Sequence, residues 1–442
     1  MRGLVTDLYQ LTMAAGYLAA GKERDIGTFE LFFRRLPRYR NFVIACGLAQ
    51  AIEYLLALRF TGEELDYLRK LPQFSRIDPA FFEMLREFRF TGDVLAVREG
   101  TPVFAHEPIL SVRAPLIEAQ IPETYLLATI AFQSIIATKA ARVVEAAGGR
   151  SCVDFGSRRA HSPEAGVLSG RASHIGGCIG TSNTKTGFRY GVPIFGTGAH
   201  SFVLSFDSEI EAFRNLQQLL GPGTVYLIDT YDTIEGARKA VSLGPPLWGV
   251  RLDSGNLVEL APAVRKILDE GGFPGAKIMA SGDLNEYKIL ELVAAGVPID
   301  AFGVGTDLST SSDSPTLGAV YKMVVVESGS KMRYVAKFAG SGKTTLPGAK
   351  QIFRFADHDV VGLASEEFPG AIESLLQPVV RNGELVAPLP TPAEARDHCA
   401  ASLARMPAPV RTVFERENAW RVDYSPKLLE GLDRVKRELH QQ

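Results

Sequence analysis

The chain has 442 residues, 46% of them hydrophobic, and carries 48 basic against 50 acidic side chains for a formal charge of −2. That length supports two or three domains, or one barrel with an added layer. The balanced charge excludes a long-range field for nucleic acid or an acidic membrane, so any phosphate binding must be local.

Cysteines at 46, 152, 178 and 399 have neither zinc-knuckle nor CxxC spacing, so a disulfide framework is not expected and a reducing, cytoplasmic setting is. In chain order, Leu8, Leu11, Ala15 and Leu18 recur at helical spacing between Thr6, a candidate N-cap, and Gly21. Asp7 and Gln10 interrupt that run, which argues against a signal peptide. No apolar run reaches the roughly 18 residues of a membrane span, so a soluble protein is expected.

A strand is expected at Thr28–Phe33, then helices at Leu48–Leu58, Glu63–Leu71 and Pro79–Phe88. Short strands follow at Val94–Val97, Val103–Ala105 and Ile109–Arg113, and a long helix at Glu123–Ala147 stops at Gly148-Gly149. From Arg150 the alternation becomes regular. Strands are expected at Ser151–Phe155, Val192–Phe195, Val225–Asp229, Trp248–Leu252, Lys277–Ala280 and Asp300–Val304. Helices at Glu209–Leu220, Ile234–Leu243, Val258–Glu270 and Glu286–Ala295 separate the later ones. Strand character returns at Val320–Glu327, Arg333–Phe338 and Gln351–Phe355, and an amphipathic helix at Pro426–Leu439 closes the chain. The expected fold is α/β: an irregular, incomplete TIM-like barrel (136–326) packed with an α+β domain (1–135), which strands of a C-terminal segment (327–442) rejoin.

Each strand of the regular region ends in a polar or glycine cluster, and chemistry confined to the carboxyl ends of strands is the mark of a barrel active site. Ser281-Gly-Asp283 and Gly303-Val-Gly-Thr306 end consecutive strands, where small residues let backbone N–H groups approach a phosphate. Tight turns are the plain alternative for either cluster alone. Arg251 and Asp253 share one face of a strand by the period of two and suit a substrate carrying phosphate and hydroxyls; a structural ion pair is the alternative. His200, after Gly196-Thr-Gly-Ala, offers an imidazole as base or nucleophile, with Asp229 at the next strand end to orient it; a histidine capping a turn is the alternative. His161 and His174 read as structural. Three look-alikes fail. Gly196-Thr-Gly and Gly303-Val-Gly carry Ser201 and Leu308 where a dinucleotide fingerprint needs its third glycine. Gly340-Ser-Gly-Lys343-Thr344 has Lys337 in place of the first P-loop glycine and reads as a hairpin loop.

Thr6-Asp-Leu-Tyr9-Gln, Asp154-Phe-Gly-Ser-Arg158, Gly196-Thr-Gly-Ala-His200-Ser, Val250-Arg-Leu-Asp-Ser-Gly255 and Gly303-Val-Gly-Thr306 together resemble the nicotinate phosphoribosyltransferase family, from the first helix to about Arg354. The resemblance implies a type II phosphoribosyltransferase fold and a homodimer with shared active sites. It further implies joining of nicotinate to phosphoribosyl pyrophosphate with Mg²⁺, and ATP as co-substrate through a transient phosphohistidine at His200. By the same resemblance Phe155, with Tyr9 of the neighbouring subunit, sandwiches the pyridine ring. Arg158 and Arg251 meet the pyrophosphate and carboxylate region, Thr197 lies near the base, and Asp253 holds ribose hydroxyls. Ser281, Gly282, Asp283, Gly303, Gly305 and Thr306 cradle the 5′-phosphate. The related nicotinamide enzyme carries an aspartate in a Gly-Thr-Asp-Thr stretch, whereas this chain reads Gly180-Thr-Ser-Asn183-Thr. Asn183 lacks the charge that would repel nicotinate, which favours the acid as substrate. A nicotinamide enzyme, a quinolinate phosphoribosyltransferase and a catalytically silent nucleotide or phosphosugar sensor are the alternatives.

Overall fold

The computed structural model describes residues 3–338 and 343–441. Six parallel strands form one sheet in the order Gly180–Thr181, Ser151–Asp154, Ala301–Val304, Lys277–Ala280, Gly249–Leu252 and Val225–Leu227. Their alternation sorts the side chains by face. Cys152, Tyr226, Val250, Leu252, Ile278, Ala280, Phe302 and Val304 join the largest apolar core beneath the covering helices. On the opposite face Val153, Met279 and Ala301 form a small separate apolar cluster, with Phe155 and Ile179 against them. That sparsely filled face borders a cavity of about 870 Å³.

A second, antiparallel sheet runs Lys331–Tyr334, Ala319–Ser328, Ile26–Phe33, Leu110–Pro115, Asp93–Val97, Leu376–Arg381 and Glu384–Leu385. Its interior strand Ile26–Phe33 is buried at seven of eight positions, which explains its nearly continuous apolar spelling. The C-terminal strand Leu376–Arg381 pairs with Asp93–Val97, so late strands rejoin the N-terminal sheet. A third sheet of Glu373–Ser374, Lys350–Arg354, His358–Leu363 and Arg421–Tyr424 adjoins it. Glu30, fully buried, accepts from the Lys350 backbone N–H at 2.8 Å and pairs with its ammonium at 2.8 Å, fastening the two sheets together.

Several expectations are corrected. Val192–Phe195 is not a full strand of the parallel sheet: it lies outside the edge strand Gly180–Thr181, where Ile194 forms one isolated parallel bridge to Thr181. Pro193 has no N–H to donate to a ladder, so this segment could not sit as an interior strand. The first helix spans Leu8–Ala19 with Asp7 at its N-cap, because the Thr6 hydroxyl instead donates to Ile121 O at 2.8 Å. The helix Glu123–Ala146 spans residue 135 and the strand Ala319–Ser328 spans residue 326. The helical stretch Leu116–Ala146 is long and apolar enough to cross a membrane, yet most of it is buried inside the protein. The loop expected at 340–344 falls largely outside the described residues.

Truncating Glu30→Ala leaves a buried ammonium without its counter-charge. Urea unfolding should show a loss of about 3–5 kcal/mol, and a loss below about 1 kcal/mol would mean that Lys350 finds another partner.

Candidate active site

The carboxyl ends of the parallel strands converge on Arg251. Its side chain is 12% exposed, and its donors are largely spent within the protein. Nε donates to Ser281 Oγ at 2.8 Å, one terminal nitrogen to Thr197 Oγ1 at 2.7 Å and Gly198 O at 3.3 Å, and the other to Asp253 Oδ1 at 2.5 Å. Of the five guanidinium N–H groups, one remains. The guanidinium carbon lies 5.6 Å from the centre of the Phe155 ring, within cation–π range. A side chain at position 303 would stand 2.5 Å from that ring, so Gly303 is what lets Phe155 seat itself.

Asp253 joins this hub and also accepts from the Ser281 hydroxyl. Burial works against its charge, but the Ser281 hydroxyl and the Arg251 guanidinium outweigh that and hold the carboxyl below its usual range. Gly282, at φ +88°, is required for a second reason: a Cβ there would lie 1.9 Å from Asp253 O. Asp283 continues the turn at φ +47°, exposed, and its carbonyl accepts from Lys288 Nζ at 2.7 Å. Gly305 and Thr306 open the short helix Thr306–Thr310 beside Phe155.

His200 begins the helix His200–Leu204 and is 41% exposed. Its Nδ1 lies 3.2 Å from Thr230 Oγ1 and its Nε2 3.9 Å from Asp253 Oδ2. The expected pairing with Asp229 is absent. Asp229 Oδ2 instead accepts from Asp253 N at 2.9 Å and Ser254 Oγ at 2.6 Å, while its Oδ1 is buried without a hydrogen-bond partner. Asp229 therefore braces the Asp253 turn, and Thr230 is the histidine's neighbour.

Sequence reasoning overlooked Asp154. It is fully buried; Oδ1 accepts from Gly156 N at 2.8 Å and Oδ2 from Thr181 Oγ1 at 2.7 Å. It thus ties the turn carrying Phe155 to the segment carrying Asn183. A carboxylate inside a motif otherwise spelled with an aromatic and an arginine was the available signal. Asn183 caps the helix Thr184–Tyr190, with Oδ1 accepting from Thr186 N at 2.9 Å, so its amide N–H groups remain as donors. Arg158 lies in the turn Ser157–Arg159, exposed and without a hydrogen bond or ion pair to described residues. Tyr9 is 48% exposed on the first helix, near Glu123 and away from the Arg251 hub. The cavity runs from Trp248, Lys277 and Pro298 at the amino ends of the strands to Phe155, Phe195 and Thr197 at the carboxyl ends.

A parallel sheet with an arginine–carboxylate hub, a histidine and two glycine turns gathered at its strand ends is an α/β architecture with its candidate chemistry at the carboxyl ends of the strands. Residues 4–131 match the nicotinate phosphoribosyltransferase N-terminal domain and 150–339 the nicotinate phosphoribosyltransferase family. A nicotinate phosphoribosyltransferase of Mycobacterium tuberculosis is 43% identical over 447 residues, covering 98% of this chain and 94% of that one. That of Bacillus subtilis is 43% identical across 79% of this chain and 72% of its own. The solved human nicotinic acid phosphoribosyltransferase superposes with a TM-score of 0.85 at 29% identity, covering 98% of this chain and all of that one. The chain belongs to the nicotinate phosphoribosyltransferase family.

Burial pushes the Asp154 carboxyl up to about 6, against the lowering effect of its two hydrogen bonds. The folded state therefore holds this proton more tightly than the unfolded chain. That stability is fully present below about pH 4 and lost as pH rises through about 6, on the order of 3 kcal/mol. Asp154→Asn keeps an acceptor for Gly156 and has no charge to desolvate. Its stability relative to wild type should rise between pH 4 and 7 in denaturant unfolding; a constant difference would show that Asp154 ionises freely.

Proposed function

We propose that the chain joins nicotinate to phosphoribosyl pyrophosphate, giving nicotinate mononucleotide and pyrophosphate in the salvage of NAD, with ATP cleavage coupled to the reaction. The observation that carries this reading is the Arg251 hub beneath Phe155, set between His200 and the two glycine turns. The pyridine nitrogen attacks the anomeric carbon as the carbon–oxygen bond to pyrophosphate breaks, through an oxocarbenium-like state. The protein's work is to orient a weak nucleophile and steady a departing polyanion.

Phe155 supplies the ring platform, and Asn183 offers amide N–H groups to a carboxylate without a charge to repel it. Arg158, without a hydrogen bond or ion pair to the described residues, supplies positive charge for an anion, while Arg251 fixes Thr197, Asp253 and Ser281 and retains one N–H. Asp253 faces the ribose hydroxyls, and Ser281, Gly282, Asp283, Gly303, Gly305 and Thr306 surround the 5′-phosphate.

No cluster of three or more metal-ligating side chains occurs among the described residues. Asp229 Oδ1, buried and unpartnered, and Asp253 Oδ2 provide one or two carboxylate oxygens. Such a set suits Mg²⁺ arriving on a pyrophosphate, which keeps most of its ligands from phosphate and water. When bound there, the ion neutralises charge on the leaving group.

His200 would take the γ-phosphoryl group of ATP on a ring nitrogen, releasing ADP, and water would later release phosphate. A phosphorylated imidazole beside Asp253 changes the charge next to the substrate, so ATP cleavage becomes coupled to substrate affinity. Val5, Leu8, Tyr9 and Met13 leave an exposed apolar strip on the first helix and its lead-in, which favours a homodimer in which Tyr9 completes the partner's ring site.

The test is nucleotide formation from nicotinate or nicotinamide and phosphoribosyl pyrophosphate, with and without ATP. Wild type should prefer nicotinate and be stimulated several-fold by ATP, and His200→Ala should lose that stimulation. A preference for nicotinamide would overturn the substrate, and undiminished stimulation in His200→Ala would overturn the phosphohistidine.

A further inference from the structure

The long helix Glu123–Ala146 packs against both helices that follow the two glycine turns: Glu286–Ala294 after Ser281–Asp283, and Thr306–Thr310 at the end of Gly303–Thr306. Between these elements lies an ionic cluster that the proposed chemistry does not use. Lys139 of the long helix places Nζ 2.6 Å from Glu286 Oε2 and 2.9 Å from Asp313 Oδ1. One turn on, Arg142 Nε lies 3.0 Å from Glu286 Oε1, and a terminal nitrogen donates to the Tyr287 hydroxyl at 3.0 Å. Arg40, from the loop after the first strand, grips Asp313 through both terminal nitrogens at 2.8 and 2.9 Å and donates to Ser311 Oγ at 2.9 Å. Arg40, Lys139, Arg142 and Glu286 are each at most 1% exposed.

Burying four charged groups around a partly buried Asp313 is a poor route to stability, since apolar residues of the same volume would serve as well or better. What such a network provides is discrete geometry, because its hydrogen bonds admit few arrangements. The placement of its members is asymmetric in a telling way. Both carboxylates follow a glycine turn closely in sequence, Glu286 three residues after Asp283 and Asp313 seven after Thr306. All three cations come from the N-terminal part of the chain. Asn285 Nδ2 donates to Asp307 Oδ2 at 2.9 Å, linking the helix starts that follow the two turns, and Ser311 holds a left-handed φ of +45° under Arg40. The relative placement of the two turns is thus set from behind by Arg40, Lys139 and Arg142.

We propose that Asp313 and Glu286 are positioning residues for phosphoribosyl binding: through Arg40, Lys139 and Arg142 they hold the Ser281–Asp283 and Gly303–Thr306 turns at the separation that one phosphorylated sugar requires. This rests on the reading that those turns take the 5′-phosphate. A displacement of about 1 Å at such a site is enough to cost on the order of 100-fold in rate or affinity.

The experiment pairs steady-state kinetics with calorimetry on the full chain. In Asp313→Asn, the KM for phosphoribosyl pyrophosphate should rise at least 10-fold, with kcat and the nicotinate KM within about threefold of wild type. Ribose 5-phosphate should bind at least 10-fold more weakly by calorimetry, and Asp313→Glu should recover part of the loss. Unchanged KM values with a lower melting temperature would show a merely structural role and overturn the proposal, as would equal loss for both substrates. Glu286→Gln is the second variant, with the same expectations, should Asp313→Asn not fold. If wild type forms no nucleotide from nicotinate but binds ribose 5-phosphate, the reaction assignment fails and calorimetry on the variants decides the positioning. If wild type does not bind ribose 5-phosphate, the positioning proposal fails whatever the reaction.

Discussion

Everything at the mouth of the parallel sheet depends on one guanidinium held in place by three oxygen-bearing side chains. Arg251 rises from the strand Gly249–Leu252 and reaches Thr197 on one side and Ser281 on the other, with Asp253 two residues ahead. Its planar fork can satisfy all three at once and still present its face to Phe155. An ammonium in its place could neither span the three contacts nor keep the ring platform. The fold brings the neighbouring strand end and the 196–200 loop together, and Arg251 turns that proximity into a fixed geometry.

Two consequences follow for function. First, Arg251 organises the site and has one N–H left, whereas Arg158 is exposed and has no hydrogen bond or ion pair to the described residues, so under the proposed function it is Arg158 that brings free positive charge to an anion. Second, the carboxylates divide their work. Asp229 anchors the Asp253 turn, Asp253 is held ionised by Ser281 and Arg251, and Asp154, its carboxyl pushed up to about 6 by burial, links the Phe155 turn to the segment carrying Asn183. Three aspartates at strand ends thus differ because their surroundings differ, as expected when desolvation and hydrogen bonding compete.

The strand ends were legible in the sequence because short apolar runs stopping at glycine or a charge leave a plain local signal. The faces were legible too: the period of two that puts Arg251 with Asp253 also puts Asp154 with Cys152, away from Phe155 and toward the interior. What escaped was set by contacts distant in sequence. Gly180–Thr181 is too short to show periodicity, and Val192–Phe195 imitates a strand that Pro193 prevents from pairing as an interior one. Thr230 rather than Asp229 meets His200 because Asp229 is claimed by a backbone N–H and a hydroxyl 24 and 25 residues on. The strand Leu376–Arg381 finds Asp93–Val97 across most of the chain, a pairing no local pattern announces. Nicotinate itself was legible only through the order and spelling of five motifs, since strand ends and glycine turns by themselves name no substrate.

The central claim is that the Arg251 fork, and not merely its charge, assembles the catalytic mouth. Steady-state nucleotide formation by Arg251→Lys tests this most directly, with thermal unfolding as the control for folding. The account predicts that kcat/KM falls at least about 100-fold while the melting temperature stays within a few degrees of wild type. A folded Arg251→Lys enzyme working within threefold of wild type would contradict it.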